Sequence, residues 1–407
     1  MSKQYDYIIA GAGAAGLSLA YYLLQSPLSS ARILLLDRSL KDSNDRTWCF
    51  WAAEDAPFQE VVCKEWTKLF FVDEQGQQGG LLAPLTYKMI RGLDFYQHVW
   101  RELERHPNVE FRQEKVLDYA QDGAKATVTT DQGQYKGQYV FNSCLFPKRD
   151  QSAHFLLQHF AGWRIKTEAP AFNPQEGYLM DFRSPQPGDT RFFYLLPLSE
   201  REALVEFTLF SPCKLKPEAY QAALEDYVEH KLGIPHYSIS EHESGAIPMT
   251  DQVMPATLHP RVINIGTAGG AVKPTTGYAF INIQQQVQQI VAQLAAGQSP
   301  DSRLPQRARF RFYDRLLLNI LQYFGGEGKV IFARLFRYNS MRAVFRFLGE
   351  DTHLLQEARI FLTLPIRTFL SAVARVYIPK FTLPSRLKFA RQWLSWPKSF
   401  SEKVQAP

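Results

Sequence analysis

One ionisable side chain interrupts the run Leu204-Val205-Glu206-Phe207-Thr208-Leu209-Phe210. As a strand, the run places Val205, Phe207 and Leu209 on one face and Leu204, Glu206, Thr208 and Phe210 on the other. A carboxylate among apolar neighbours is costly to bury without a partner. Desolvation disfavours its charged form and makes it a candidate proton donor near neutral pH. On periodicity alone, the alternative is a Glu exposed on an edge strand, or one paired with Arg191 or Lys216. No His-Asp-Ser arrangement and no P-loop offers another chemistry. The nine His and four Cys show no metal-ligand spacing, so no metal site is expected.

A second set of residues could hold a cofactor. Residues 5–10 form an apolar run that enters Gly11-Ala12-Gly13-Ala14-Ala15-Gly16, followed by a helical stretch. A second apolar run, residues 32–36, ends on Asp37. This is a βαβ unit with a G-x-G-x-x-G turn. Gly11 allows the tight turn, Gly13 lets the backbone approach a pyrophosphate, and Gly16 with Ala20 brings helix and strand close. The helix N-terminus stabilises phosphate charge, and Asp37 is placed to accept from a ribose hydroxyl. The alternative is a Gly-rich turn in an ordinary α/β domain. Farther along, the strand at 261–265 enters Gly266-Thr267-Ala268-Gly269-Gly270. Lys273-Pro274-Thr275-Thr276-Gly277-Tyr278 and a helix over 279–296 follow. Two glycine turns leading into helices suggest one cofactor contacted by two separated pieces of chain. No second G-x-G-x-x-G is present for a docked nicotinamide nucleotide.

These groups need a scaffold. The pattern predicts a strand at 68–72 and a helix over 87–105 with Met89, Leu93, Tyr96, Trp100 and Leu103 at helical spacing. Short strands are expected at 109–111, 115–119, 125–130 and 139–142. Residues 177–182, 191–196 and 203–210 read as strands, the last two as a hairpin. A helix over 217–232 and a strand at 243–249 follow. Beyond residue 305 the helices expected are 310–323, 329–336, 341–347, 354–376 and 387–393. The organisation expected is a nucleotide domain at 1–150 with cap elements near 60–90, an inserted substrate domain at 151–260, a return to the nucleotide domain at 261–300, and a helical region at 301–407. The cluster Arg46-Thr47-Trp48-Cys49-Phe50-Trp51 either helps cover the cofactor or packs in the core.

Composition narrows the partners. An aromatic content of 14% suits a large apolar cavity as well as an aromatic core. Four scattered cysteines are expected to lie in a reducing cytosol. The first strand begins so close to Met1 that no targeting segment is expected before it. Residues 301–407 carry 14 Arg and 5 Lys against 3 Asp and 4 Glu, a net +12, which leaves −6 for the rest. That asymmetry points to an anionic partner for the C-terminal region. No stretch is apolar enough to span a bilayer, since Pro365, Arg367 and Arg375 break the best candidate. Interfacial helices and an ordinary helical domain with a solvated basic face both fit. A nucleic-acid module is not expected, because the basic residues are interleaved with Leu and Phe.

Taken in order, the motifs resemble the flavin-binding lycopene β-cyclases of bacteria over about residues 3 to 380. The matching pieces are Gly11-x-Gly13-x-x-Gly16 with Asp37, Arg46 to Trp51, Met180-Asp181-Phe182, Phe193-Tyr194-Leu195-Leu196-Pro197, Leu204 to Thr208, Gly245-Ala246-Ile247-Pro248-Met249, and the Gly266 and Lys273 turns. The resemblance implies an α/β fold, with a Rossmann-like FAD-binding domain of the glutathione-reductase/hydroxybenzoate-hydroxylase kind, an inserted β-sheet substrate domain and C-terminal helices. It implies FAD, active in its reduced form with NAD(P)H as reductant, and lycopene or a related linear carotene as substrate. The cofactor-contacting residues expected are Gly11, Ala12, Gly13, Ala14, Ala15, Gly16, Asp37, Arg46, Val116, Gly266, Gly269, Gly270, Thr276 and Gly277. Glu206 matches the family's catalytic acid, whose second acidic neighbour is here Phe207. That departure leaves Glu206 as a lone acid. At Gly266-Thr267 many related flavoproteins have Gly-Asp. The reaction implied is cyclisation of the ends of lycopene to β-ionone rings, giving γ- and then β-carotene. Alkene protonation starts it, proton loss ends it, and anionic reduced flavin stabilises the carbocation. A cytoplasmic enzyme on the inner face of the cell membrane is expected. Alternatives of similar outline are an FAD-dependent prenyl-lipid reductase or hydroxylase, and a carotenoid-binding flavoprotein without catalysis.

Overall fold

The computed structural model describes residues 4–378, and the helix expected at 387–393 lies outside them. The chain builds two large sheets and a small one. The first has the order Thr257–His259, Val262–Asn264, Gln134–Asn142, Gln4–Ala10, Ile33–Asp37, Val109–Gln113. Its pairs from Val262–Asn264 to Val109–Gln113 are all parallel. Both faces of a parallel sheet must be covered. The helices Ala14–Leu24, Gly92–Leu103 and Phe280–Ala295 close one face through Leu17, Ala20, Phe95, Val99, Ile283 and Val287. A meander of Val116–Asp122 and Lys125–Thr130 closes the other through Val116, Tyr119 and Val128.

The second sheet has seven strands: Ser238–Thr250, Phe155–Lys166, Glu202–Ser211, Thr190–Ser199, Glu176–Asp181, Lys68–Asp73 and Gly76–Leu81. One face, carrying Val205, Phe207 and Leu209, packs under the helix Pro217–Asp226 and the turn after it. The other, carrying Leu204 and Phe210, meets the C-terminal helices Ala308–Tyr323 and Glu327–Tyr338. The alternation read at 204–210 is therefore the one the protein uses. The third sheet joins Thr47–Ala52, Thr86–Arg91 and Lys64–Trp66.

Three expectations are corrected. The helix expected over 87–105 starts only at Gly92, and residues 86–91 form a strand. Lys88 is fully buried there, bound to Gln59 at 2.6 Å and Glu65 at 3.3 Å. The apparent helical spacing at Met89 was a strand residue in phase by coincidence. The helix expected over 354–376 is two, Leu354–Thr363 and Ile366–Tyr377, bent by 111°. Pro365 lacks the N–H that would continue the first helix. The strand Phe155–Lys166, interior and next to the edge strand of its sheet, was not expected at all. Its polar residues hide it: His159 is buried, bonded through Nε2 to Ser211 Oγ (2.7 Å) and through Nδ1 to Tyr220 Oη (2.6 Å).

A buried ion cluster ties the second glycine turn to the C-terminal helices. Lys273 Nζ donates to Asp314 at 3.0 Å and to Glu350 at 2.9 Å, and Thr275 donates to Asp314 at 2.8 Å. Removing one partner leaves uncompensated buried charge. Lys273→Met is expected to lower unfolding free energy by about 3–5 kcal/mol in urea titration. Burial lowers the His159 pKa to about 4. The unfolded chain therefore takes up a proton below about pH 6.5 that the folded chain refuses until about pH 4. Stability should fall across that window by about 1.4 kcal/mol per pH unit from this group, a slope that His159→Gln should remove in urea midpoints measured from pH 7 to 4.5.

Candidate active site

The strand carrying Glu206 is interior, between Phe155–Lys166 and Thr190–Ser199, so Glu206 is not on an edge. Arg191 is held by Asp189 at 2.5 Å. Cross-strand register sets Glu206 opposite Tyr194 on one side and Gly162 on the other, and Gly162 opposite Glu243 on the next strand. A Cβ at Gly162 would stand 3.1 Å from Glu243 Cγ and 3.4 Å from Glu206 Cβ. Glycine here leaves the gap into which two glutamates reach, one from each flanking strand.

Each carboxyl has a hydroxyl donor. Thr208 Oγ1 donates to Glu206 Oε1 at 2.6 Å, and Thr47 Oγ1 donates to Glu243 Oε2 at 2.6 Å. Glu243 Oε1 is buried without a hydrogen-bond partner. The Glu206 carboxyl lies deep in the protein, although the residue as a whole is only partly buried. Burial first, and the Glu243 charge second, push its pKa well above the usual carboxylate range. Burial raises that of Glu243 as well, opposed first by the hydrogen bond from Thr47. Phe207, at the position of the family's second acid, points to the opposite face and stacks on Phe193. The expected lone acid thus has a carboxyl neighbour, supplied from a different strand.

Aromatic rings surround this pair. Tyr194 and Tyr278 lie close enough to add to the Glu206 environment. Tyr87 Oη and Tyr278 Oη are 2.8 Å apart, and Trp51 stands edge-on to Tyr278 with centroids at 4.6 Å. The strand Thr47–Ala52 divides its duties by alternation. Thr47, Cys49 and Trp51 face the glutamates and Tyr278, while Trp48 and Phe50 pack on Phe280. The two readings of the Arg46 to Trp51 cluster therefore describe its two faces.

The glycine turns lie next to this cage. Gly11 has φ +103°, and a Cβ on Gly16 would fall on the Gly11 carbonyl oxygen. The helix Ala14–Leu24 begins directly after Gly13, where a Cβ would meet open space. Its first amides, those of Ala14 and Ala15 included, have no intrahelical acceptor. Asp37 Oδ2 accepts from Ala12 N at 2.7 Å, so its carboxylate borders the turn. That arrangement fits the phosphates and ribose of a dinucleotide. A Cβ on Gly266 would lie 2.7 Å from Ala15 Cβ, so the two turns pack on each other. Gln286 clamps the second turn, accepting from Gly266 N at 2.7 Å and donating to Gly269 O at 3.0 Å. Gly270 closes the same turn on Thr267 O. Thr276 and Gly277 precede the helix Phe280–Ala295, and Gly277 abuts Gln158, on the sheet face of Glu206. Val116 is buried beside Leu36. Arg46 is exposed, bonded to Asp45 O at 2.9 Å, and near enough to favour the charged form of Glu243. Among the expected residues, the structure brings together both turns and Asp37, with Val116 in the cluster that holds Leu36 and Arg46 near Glu243.

Sequence reasoning missed Glu243, Gly162 and Thr47 as site residues. Glu243 stood two residues before the motif at Gly245, and the alternation of Glu241 and Glu243 within a strand was the available signal.

Comparisons with known proteins give the fold and the family. Among solved structures, HpxO of Klebsiella pneumoniae in complex with FAD aligns with a TM-score of 0.61 at 13% identity, covering 89% of this chain and 100% of that one. A geranylgeranyl bacteriochlorophyll reductase-like protein of Thermoplasma acidophilum gives 0.56 at 13% identity, covering 92% and 97%. The fold is that of the glutathione-reductase/hydroxybenzoate-hydroxylase flavoproteins. A lycopene beta-cyclase of Pantoea ananas is 26% identical over 300 residues, 69% of this chain and 72% of the relative. The chloroplastic lycopene beta cyclase of Arabidopsis thaliana is 26% identical over 298 residues, 68% of this chain and 57% of that protein. The family described as lycopene cyclase protein matches residues 6–374. The chain therefore belongs to the lycopene cyclase family of enzymes.

Proposed function

We propose that this enzyme is a lycopene β-cyclase that closes β-ionone rings at the linear ends of lycopene, giving γ- and then β-carotene. The observation that carries this reading is a buried carboxyl, Glu206, set across Gly162 from a second carboxyl, Glu243, among aromatic rings beside a dinucleotide cradle, where burial pushes its pKa up. An alkene is a weak base, so its proton donor must be poorly solvated and well placed. Glu206 meets both conditions. Its O–H breaks as a new C–H bond forms at the terminal alkene, and the tertiary cation that results is attacked by the next double bond. A ring C–H then breaks as its proton passes to water and its electron pair forms the ring double bond, so one proton has been delivered by Glu206 and one given up. Tyr194, Tyr278, Tyr87 and Trp51 offer π-faces and hydroxyl oxygens toward positive charge. Gly11 to Gly16, Asp37 and the turn at Gly266 would hold FAD. That cofactor, reduced by NAD(P)H, supplies negative charge near the cation when bound.

The surface supports a membrane-bound substrate. Among the described residues no single helix is long and apolar enough to cross a membrane. The bent pair Leu354–Thr363 and Ile366–Tyr377 exposes Leu355 (75%), Leu362 (71%) and Leu370 (62%), with the exposed Arg359 and Arg367 interspersed. Apolar and basic residues on short helices suit the interface of an anionic bilayer. We place the enzyme on the inner face of the cell membrane, reached from the cytoplasm.

The direct test is expression in lycopene-accumulating cells, with the product read by chromatography and mass. Cyclisation leaves mass unchanged, whereas a reductase adds hydrogen and a hydroxylase adds oxygen. Glu206→Gln should lower turnover by about a hundredfold or more with FAD content unchanged; retained cyclisation would remove Glu206 from the reaction. Because the folded-state pKa of Glu206 is raised, its charged form opposes folding above the unfolded value, increasingly as pH rises. The same variant should therefore melt at a higher temperature near pH 8. Leu355→Asp with Leu362→Asp should leave the melting temperature unchanged and abolish co-sedimentation with phosphatidylglycerol vesicles; undiminished sedimentation would move the docking face elsewhere.

A further inference from the structure

We propose that Glu243 is the proton-holding partner of Glu206: the two carboxyls share one proton across the gap at Gly162, and Glu243 returns a proton to Glu206 after each ring closure. This rests on the cyclase reading for its consequence and on geometry for its existence. Three strands carry the pair in register, Glu206 and Glu243 both facing Gly162. With both carboxyls ionised, Glu243 Oε1 stays buried with nothing to accept from. Buried acceptors left unmade are expensive. A proton on Glu206 supplies the missing donor. Two like charges in one dry site cannot both persist, so one proton is retained by the pair.

Each carboxyl accepts from one threonine at 2.6 Å, so the neighbouring cation assigns the sides. Arg46 adds positive charge near Glu243, which makes Glu243 the better carboxylate. Glu206 therefore holds the proton. Glu243 is also the route to water. It lines a pocket with Asn44, Thr47, Arg91, Arg164 and Glu241, in which Arg91 and Arg164 donate to Glu241 at 2.7 and 3.0 Å. After Glu206 loses its proton to the alkene, a proton entering from this pocket passes to Glu243 and then to Glu206. One O–H forms as another breaks, and no oxidant or reductant is required. The ionisable groups facing the pair are Glu241, Arg46, Cys49, Tyr194 and Tyr278. Glu243 touches the acid and not the substrate, so it is a positioning residue.

The test uses purified full-length protein with its bound cofactor. Infrared difference spectra should show a protonated-carboxyl band at neutral pH that Glu206→Gln removes. In Glu243→Gln the band should remain but titrate away at lower pH, by about one unit or more, because the neighbouring charge is gone. The alkaline limb of kcat should move down equally, with KM unchanged. Thr47→Val leaves both carboxyls intact and removes the donor that favours charge on Glu243. It should shift the band frequency and lower kcat, and it serves if Glu243→Gln does not fold. A band that titrates at the wild-type pH in Glu243→Gln, or a Thr47→Val spectrum identical to wild type, overturns the proposal. Loss of cyclisation in every protein including wild type, with the band behaving as expected, would instead sink the cyclase reading and leave the shared proton standing.

Discussion

A carboxyl kept out of water is the constraint around which this molecule closes. Among the described residues the partners of Glu206 are a threonine hydroxyl, another carboxyl and phenol rings. Such a group stays neutral where bulk solvent has few routes to it. The small sheet shuts one with Thr47, Cys49 and Trp51, and the second glycine turn another with Tyr278. The C-terminal helices seal the Phe210 end through Phe332 and Phe336. Four layers far apart in sequence thus meet at one side chain.

The same closure explains why the two glycine turns sit where they do. Packing Gly266 against Ala15 brings the helix Phe280–Ala295 beside the helix Ala14–Leu24. Tyr278, two residues before that helix, then reaches the glutamates. The cradle for a cofactor and the cage for a cation are therefore consecutive parts of one piece of chain, anchored by Lys273 on Asp314 and Glu350.

Local patterns were legible in the sequence and long-range register was not. Gly11 to Gly16 with Asp37 could be read because turn, helix and acid follow within one βαβ unit. The faces of 204–210 could be read because a strand alternates strictly. Phe155–Lys166 could not, because Gln158, His159 and Gly162 break the apolar pattern for reasons visible only in three dimensions. His159 is satisfied by Ser211 and Tyr220, and Gly162 is small because two side chains cross above it. Without that strand the partnership of Glu206 with Glu243 had no path through the sequence. The helix expected at 87–105 failed in the opposite way, when a strand and a helix joined at Gly92 kept a common period across their boundary.

Placing a single glycine strand between the glutamates also dictates which acid can serve. Neighbouring strands stand about 4.8 Å apart, so the two α-carbons are held about 10 Å from each other by the hydrogen-bond lattice of the sheet. That lattice is a ruler that no loop can relax. Two glutamate arms span the interval, whereas an aspartate on either strand would stop short and face its counterpart across an empty interval. The spacing of the backbone, rather than acidity, is what selects glutamate at both ends.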